Sequence, residues 1–223
     1  MKQKHFAALS LAAYLVAGCT STPPPRTVHQ DFRTIIELRT DPKAGSGHSH
    51  PVNLAPEHMV RILSGIRVRT DRYAVHRLFA GEADERPAFT SEEVWSLAVP
   101  LVTALRMAKP EEVATFYRRI SDQTTGLAFT TGGLFLQGDE LYFVLANYRQ
   151  GPADAMAMGI PAYEIDPVDD PLLPLRRAGY RVSFVPEEAE VRQVDGSSTW
   201  TYVDPAKVVV INTRLVHLTP PRQ

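Results

Sequence analysis

The clearest structural signal in the chain is the stretch FTTGGLFLQGDELYFVLANYR, residues 129–149. Two runs rich in aromatic, aliphatic and β-branched residues flank residues 137–140, which include Gly138. Such runs favour extended strands, and a glycine supplies the positive φ angle that a tight hairpin turn often requires. The pattern therefore predicts an antiparallel hairpin. Gly132 and Gly133 in its first arm predict a bulge, a bend or a close approach of backbone to a ligand.

Further extended segments follow this hairpin. Residues 179–186 (GYRVSFVP) predict one strand, and residues 199–203 (TWTYV) and 207–218 (KVVVINTRLVHL) predict a second hairpin. Between the two hairpins, residues 150–178 contain five prolines and predict a long irregular excursion. Loops of that length are uncommon and often functional.

Helical patterns precede the central hairpin. Residues 56–66 (PEHMVRILSGI) carry apolar side chains at helical spacing, with Pro56 at the first position. Thr90 and Glu93 have the spacing of a capping box. An apolar stripe at helical spacing follows, formed by Val94, Leu97, Ala98, Leu101 and Leu105. Pro100 lies inside this pattern and either kinks the helix or starts a second one. Trp95 starts this otherwise aliphatic stripe and is expected in the core.

The segment Pro110-Glu111-Glu112 predicts the start of another helix, with Val113, Phe116, Tyr117 and Ile120 facing inward. Helices first and hairpins afterwards are typical of an α+β domain, with the N-terminal helices packed on an antiparallel sheet. We expect this single domain to span residues 55–218.

The first residues have a different character. Lys2 and Lys4 precede the uncharged run FAALSLAAYLVA (residues 6–17), and small residues lead to Cys19, the only cysteine. A basic start followed by a short apolar run is typical of a secretory signal. The run is too short to span a bilayer as a stable helix, which needs about 20 residues.

The sequence Val16-Ala17-Gly18-Cys19 resembles the lipobox of bacterial lipoprotein precursors. The resemblance covers only this segment. It implies a signal peptide over residues 1–18, a diacylglyceryl group on the Cys19 sulfur and cleavage just before Cys19. Since Thr20 rather than Asp follows the cysteine, it further implies an outer-membrane lipoprotein that faces the periplasm. Residues 19–54, rich in Pro, Gly, Ser and Thr, are expected to form a tether, in which residues 31–40 have a partly alternating, strand-like pattern.

The charge balance excludes some partner classes. Removal of residues 1–18 takes away two lysines and leaves 22 basic and 25 acidic side chains. This mild negative balance argues against a nucleic-acid surface and against a polybasic membrane patch. The expected partners are the bilayer, through acylated Cys19, and an envelope protein or a wall polymer.

Candidate chemistry is sparse. No nucleotide-binding, nucleophile-elbow or HExxH motif is present, so we expect no cofactor and assign no catalytic residue. His48 and His50, with His58 from the following helix, suggest a metal set, or else a solvated linker. Asn147, Tyr148 and Arg149 suggest a patch that binds a sugar or peptide, or else strand-end capping.

These features favour a non-catalytic accessory, assembly or binding module anchored in the cell envelope. One alternative is an envelope enzyme of the hydrolase type with its site in residues 126–178. Another is a metal-handling lipoprotein that uses His48, His50 and His58.

The lipid anchor is tested by Cys19→Ser. Because serine lacks the sulfur that receives the diacylglyceryl group, we expect this variant to lose membrane retention and fatty-acid incorporation, measured by metabolic labelling. Persistent labelling of the serine variant would contradict the lipobox assignment.

Overall fold

A computed structural model describes residues 23–45, 47–70, 84–122, 126–151, 167–175, 179–191 and 204–216. The described chain is mixed, with two helices and a large antiparallel sheet, and most of its regular structure is strand.

The large sheet has seven strands, and each neighbouring pair runs antiparallel. In spatial order the strands are β1 (Arg26–Gln30), β2 (Thr34–Thr40), β5 (Glu112–Asp122), β6 (Gly126–Gln137), β7 (Glu140–Gln150), β10 (Val208–Asn212) and β9 (Glu190–Val191). A second sheet has the order β4 (Arg86–Pro87), β3 (Ile66–Thr70) and β8 (Tyr180–Phe184).

The predicted central hairpin is confirmed as β6 and β7. Gln137 pairs with Glu140 across a turn in which Gly138 has a φ of +60°. The register shifts on both sides of Thr131, so the predicted irregularity lies next to Gly132. The strand predicted at residues 179–186 corresponds to β8, and the start of the 207–218 segment corresponds to β10. Residues 199–203 lie outside the described residues, and β10 pairs with β7 and β9.

The two helices are α1 (Pro56–Gly65) and α2 (Ser91–Met107). The predicted capping box is confirmed, because the Glu93 backbone N–H donates to the Thr90 hydroxyl at 3.2 Å and the Glu93 carboxylate accepts from the Thr90 N–H at 2.7 Å. These bonds satisfy donors that a helix start leaves without partners. Pro100 lies inside a single continuous helix.

The helix predicted from residue 110 onward is wrong, because residues 112–122 form strand β5. The segment EVATFYRRISD is rich in β-branched and aromatic residues, which fit a pleated surface. β5 pairs with β2 over residues 112–118 and with β6 over residues 114–122, so these ladders outweigh the helix-start signal of Pro110 and Glu111.

The tether predicted over residues 19–54 is also wrong for its described part. Residues 26–30 and 34–40 are strands β1 and β2, and β2 pairs with β5 from Thr34 to Thr40. The strand-like pattern at residues 31–40 is therefore confirmed by β2. The Arg26 guanidinium makes two bonds to the Glu112 carboxylate, at 2.9 and 2.6 Å, which attach β1 to the start of β5.

Successive residues of the central strands enter two different apolar clusters. Leu134 and Phe143 share the first cluster with buried side chains of both helices. Their neighbours Phe135 and Val144 belong to the second cluster, which contains Leu172 from the segment 167–175. Since successive strand side chains point to opposite faces, both faces of the central sheet carry buried apolar side chains.

Gly132 is the tightest point of this sheet. A Cβ atom built there would lie 2.0 Å from the Val144 carbonyl oxygen and 2.8 Å from the Phe116 ring. We expect Gly132→Ala to lower the free energy of unfolding by about 1–3 kcal/mol or more, because the strands must separate to admit the methyl group. Urea unfolding, read as a lower midpoint, checks this.

The matched control is Gly138→Asn in the same hairpin. Nothing lies within 4 Å of a Cβ at Gly138, and asparagine tolerates its positive φ angle. A smaller midpoint change in Gly132→Ala than in this control would contradict the packing argument.

Candidate functional site

A groove of about 660 Å³ opens between α1, the first turn of α2 and the residues that follow β8. Most of its surface is apolar, from the side chains of Val60, Val94, Trp95, Phe184, Val185 and Val216. A concave site with mainly apolar walls and few polar groups is the usual form of a binding site in proteins.

The wall of the groove depends on the end of α1. A Cβ atom at Gly65 would lie 2.3 Å from the Phe184 ring, so only glycine lets β8 approach the helix this closely. The Val185 N–H donates to the Gly65 carbonyl oxygen at 3.0 Å and holds the two segments together. This contact places Phe184 and Val185 in the groove lining.

Trp95 is the groove residue that sequence reasoning placed wrongly. It was expected in the core, yet 60% of it is exposed. Trp95 lies about 100° around the helix from Val94, whereas Ala98, Leu101 and Leu105 follow the buried side. The helical spacing contained this signal, because the buried stripe is complete without the tryptophan.

Charged side chains surround the apolar lining. Glu57 and Arg61 come from the exposed face of α1, and Glu187 and Glu188 follow β8. Arg67 also lines the groove, and its guanidinium donates to the Ser64 and Ile66 carbonyl oxygens at 2.7 and 3.2 Å. The carboxylates at positions 187 and 188 make one end of the rim acidic.

The predicted Asn147, Tyr148 and Arg149 patch does not present its three side chains together. Asn147 is fully buried, and its amide nitrogen donates to the Thr131 hydroxyl and to the Leu173 carbonyl oxygen. Its amide oxygen accepts from the Leu175 N–H at 2.9 Å. Asn147 therefore holds the segment 167–175 on the sheet.

Arg149 and Tyr148 instead belong to a cluster of charges beside the start of α2. Arg149 has a φ of +46° and donates to the Glu93 carboxylate at 2.9 Å. The guanidiniums of Arg149 and Arg86 lie 5.8 and 5.6 Å from the centre of the buried Tyr148 ring. Arg118, also buried, lies 3.8 Å from the same Glu93 carboxylate. Glu93, the acidic residue of the α2 capping box, thus connects strands β5 and β7 to the helix.

His48 and His50 are buried rather than solvated on a linker. His48 bonds Asp41 at 3.0 Å and stacks on Phe135, with the ring centres 4.0 Å apart. The His48 and His50 ring centres are 5.8 Å apart. Within the described ranges, no group of three or more His, Cys, Asp or Glu side chains is arranged to hold a metal ion. His48, His50 and His58 therefore do not form the suggested ligand set there.

Lys207 is a buried group that sequence reasoning missed. Its ammonium donates to the Ala146 carbonyl oxygen at 3.0 Å and lies 4.9 Å from the Tyr180 ring centre. The Tyr180 hydroxyl donates to the Leu145 carbonyl oxygen at 2.7 Å, and burial raises the pKa of Tyr180 well above its usual value. No local pattern marks a lysine before β10 as buried.

Cys19 and the signal segment lie outside the described residues. Neither described helix is long and apolar enough to cross a bilayer. Comparison with known proteins found no matching family model, no matching curated protein and no matching solved structure.

Burial, together with the neighbouring His48 and against the opposing effect of Glu112, lowers the pKa of His50 to about 4. The unfolded chain takes up this proton near pH 6.5, so stability falls as the pH falls from about 6.5 to about 4. We expect protonation of His50 to lower the free energy of unfolding by up to about 3 kcal/mol over that range. Urea unfolding at several pH values measures it.

His50→Asn should reduce the change of the free energy of unfolding with pH. His29→Asn, which changes a half-exposed histidine on β1, should leave that pH dependence unchanged. An equal slope in the His50 variant and the unsubstituted protein would contradict the assignment.

Proposed function

We propose that this chain is a non-catalytic binding module anchored in the cell envelope through Cys19, and that its groove takes an apolar segment of a protein partner. The proposal takes α1 and α2 as a layer on the sheet face that carries Phe116 and Phe143. It places the module on the outer membrane, facing the periplasm. The observation that carries the proposal is Trp95, a large aromatic side chain 60% exposed at the wall of an apolar groove.

The lining favours a polypeptide over a wall polymer. A sugar chain needs many hydrogen-bonding groups, whereas this groove offers aliphatic and aromatic side chains such as Val60 and Val185. Tryptophan is enriched among the residues that dominate protein interfaces, especially where it lies in a pocket that excludes water on binding. An apolar anchor side chain of the partner would complete that arrangement against Trp95.

The charged rim of the groove indicates which kind of residue should flank the partner's apolar side chain. Glu188 is exposed on the rim, so a basic residue beside the apolar anchor would meet a carboxylate of opposite charge. Such rim pairs act mainly on specificity and association rate. The partner segment is thus expected to combine one or two large apolar side chains with a nearby Lys or Arg.

The two alternatives gain less support. In the described part of residues 126–178, Asn147 is committed to packing and Arg149 to an ion pair with Glu93. For the metal-handling alternative, His48 is committed to Asp41 and is fully buried. No described contact favours either alternative over the groove.

Site-specific photo-cross-linking in living cells tests the proposal. A photoreactive amino acid at Trp95 should cross-link to a protein segment with large apolar and basic residues, identified by mass spectrometry. Adding Val185→Asp places a charge in the apolar lining and should reduce the cross-link about tenfold or more, a loss of about 1.4 kcal/mol.

The matched control is the probe at Leu127, an exposed apolar residue on β6 that does not line the groove. A Trp95 cross-link only to lipid or glycan would overturn the protein-binding proposal, as would a cross-link unaffected by Val185→Asp.

A further inference from the structure

The outward, solvent-facing side of α2 carries large apolar side chains that do not pack in the core. Its solvent-facing positions include Trp95, Val99 and Met107, which are 60%, 53% and 48% exposed. The twelve residues between Glu93 and Arg106 contain no charged side chain. A surface helix normally places charged residues opposite its buried stripe, so this face departs from the usual pattern.

The polar groups on this face already have partners within the protein. The Thr103 hydroxyl donates to the Val99 carbonyl oxygen at 3.0 Å. The Ser96 hydroxyl donates to the Glu93 carbonyl oxygen at 2.9 Å and accepts from Arg118. Transfer of a hydroxyl out of water is unfavourable mainly when its hydrogen bonds are lost, so this face can leave water with little penalty.

Strand β1 and the turn after it lie along this same helix. The Arg26 guanidinium donates to the Met107 carbonyl oxygen at 3.1 Å, at the C-terminal end of α2. At the other end, Arg33 lies 3.4 Å from the Glu92 carboxylate. Phe32, next to Arg33 and 79% exposed, adds a further apolar side chain beside the helix.

The position of Cys19 brings this face close to lipid. Only seven residue steps separate Cys19 from Arg26, where β1 begins, and Arg26 contacts the end of α2. A fully extended chain spans at most about 3.6 Å per residue, so β1 starts within about 25 Å of the anchored sulfur. A short connection of this kind leaves the domain little room to stand away from the bilayer.

We infer that the outward face of α2 beyond the groove, formed by Val99 and Met107 with Phe32 beside it, rests on the lipid surface of the membrane that holds the anchor, while Trp95 stays at the groove. The inference rests on the lipid anchor of the proposed function. Helices that lie in the membrane interface bury an apolar face at the boundary of headgroups and acyl chains. Arg106, exposed near the C-terminal end, is placed to meet anionic headgroups.

The opposite face of the sheet supplies a matched control. Leu173 is 55% exposed, and it adjoins Leu172, which packs in the second cluster with Phe135 and Val144. It is as apolar and as exposed as Val99 but lies on the other side of the central strands. A lipid-facing orientation of α2 therefore predicts opposite behaviour at positions 99 and 173.

The test uses the mature, lipidated protein in vesicles of phosphatidylethanolamine and phosphatidylglycerol. Since Cys19 is the only cysteine and lipidation consumes its sulfur, Val99→Cys, Met107→Cys and Leu173→Cys each introduce a single free thiol. Each thiol is labelled with an environment-sensitive fluorophore, and the emission is compared in vesicles with and without brominated acyl chains. We expect a blue shift and a loss of emission to bromine at positions 99 and 107, and neither at 173.

Intact mass of the same samples separates failure of the inference from failure of the anchor. A diacylglyceryl mass on Cys19 without bromine quenching at 99 and 107 would overturn the lipid-facing orientation and leave the anchor in place. A blue shift without quenching would mean that protein covers the face, and would also overturn it. An unmodified Cys19 would overturn both the anchor and the inference.

Discussion

The close contact at Gly132 is the constraint on which the central sheet depends. The Phe116 ring and the Val144 carbonyl oxygen occupy the space that a side chain would need. This allows Phe116 to stack on Phe143 at 5.8 Å between ring centres, with Phe89 meeting both rings edge-on. These rings belong to the cluster that contains the buried residues of both helices, so the position of the helices depends on the same contact.

The second organising interaction is the attachment of the N-terminal strands. Arg26 joins Glu112 through two short bonds, and the same carboxylate accepts from the Lys109 N–H at 2.8 Å. The ion pair lowers the pKa of Glu112 against the opposing effect of its burial. Because β1 is part of the sheet and contacts the end of α2, the connection from Cys19 ends at residue 26, and not at residue 54 as the composition of residues 19–54 predicts. The proposed groove and the proposed lipid-facing surface then occupy neighbouring sides of one helix.

Local patterns predicted those elements that local chemistry determines. The hairpin turn at Gly138, the capping box of Thr90 and Glu93, and the alternating strand β8 all follow from residues within a few positions of one another. The failures share a different cause. Strand β5 begins with a helix-start signal, and it is a strand because β2, more than seventy residues earlier, pairs with it. β1 lies in a polar, proline-rich context, and it is a strand because it pairs with β2, which that same distant ladder holds in the sheet.

The sequence by itself determined the mixed class of structure, the central hairpin and the starts of α1 and α2, since each depends on short-range order of residue types, and it raised the expectation of a lipid anchor at Cys19 in the same way. Only the tertiary structure decided that Asn147 is buried, that His48 pairs with Asp41 and that Trp95 is exposed beside a groove. Exposure and pairing depend on which distant segments pack together. In this chain the ladder between β2 and β5 joins residues far apart in sequence and brings such segments together.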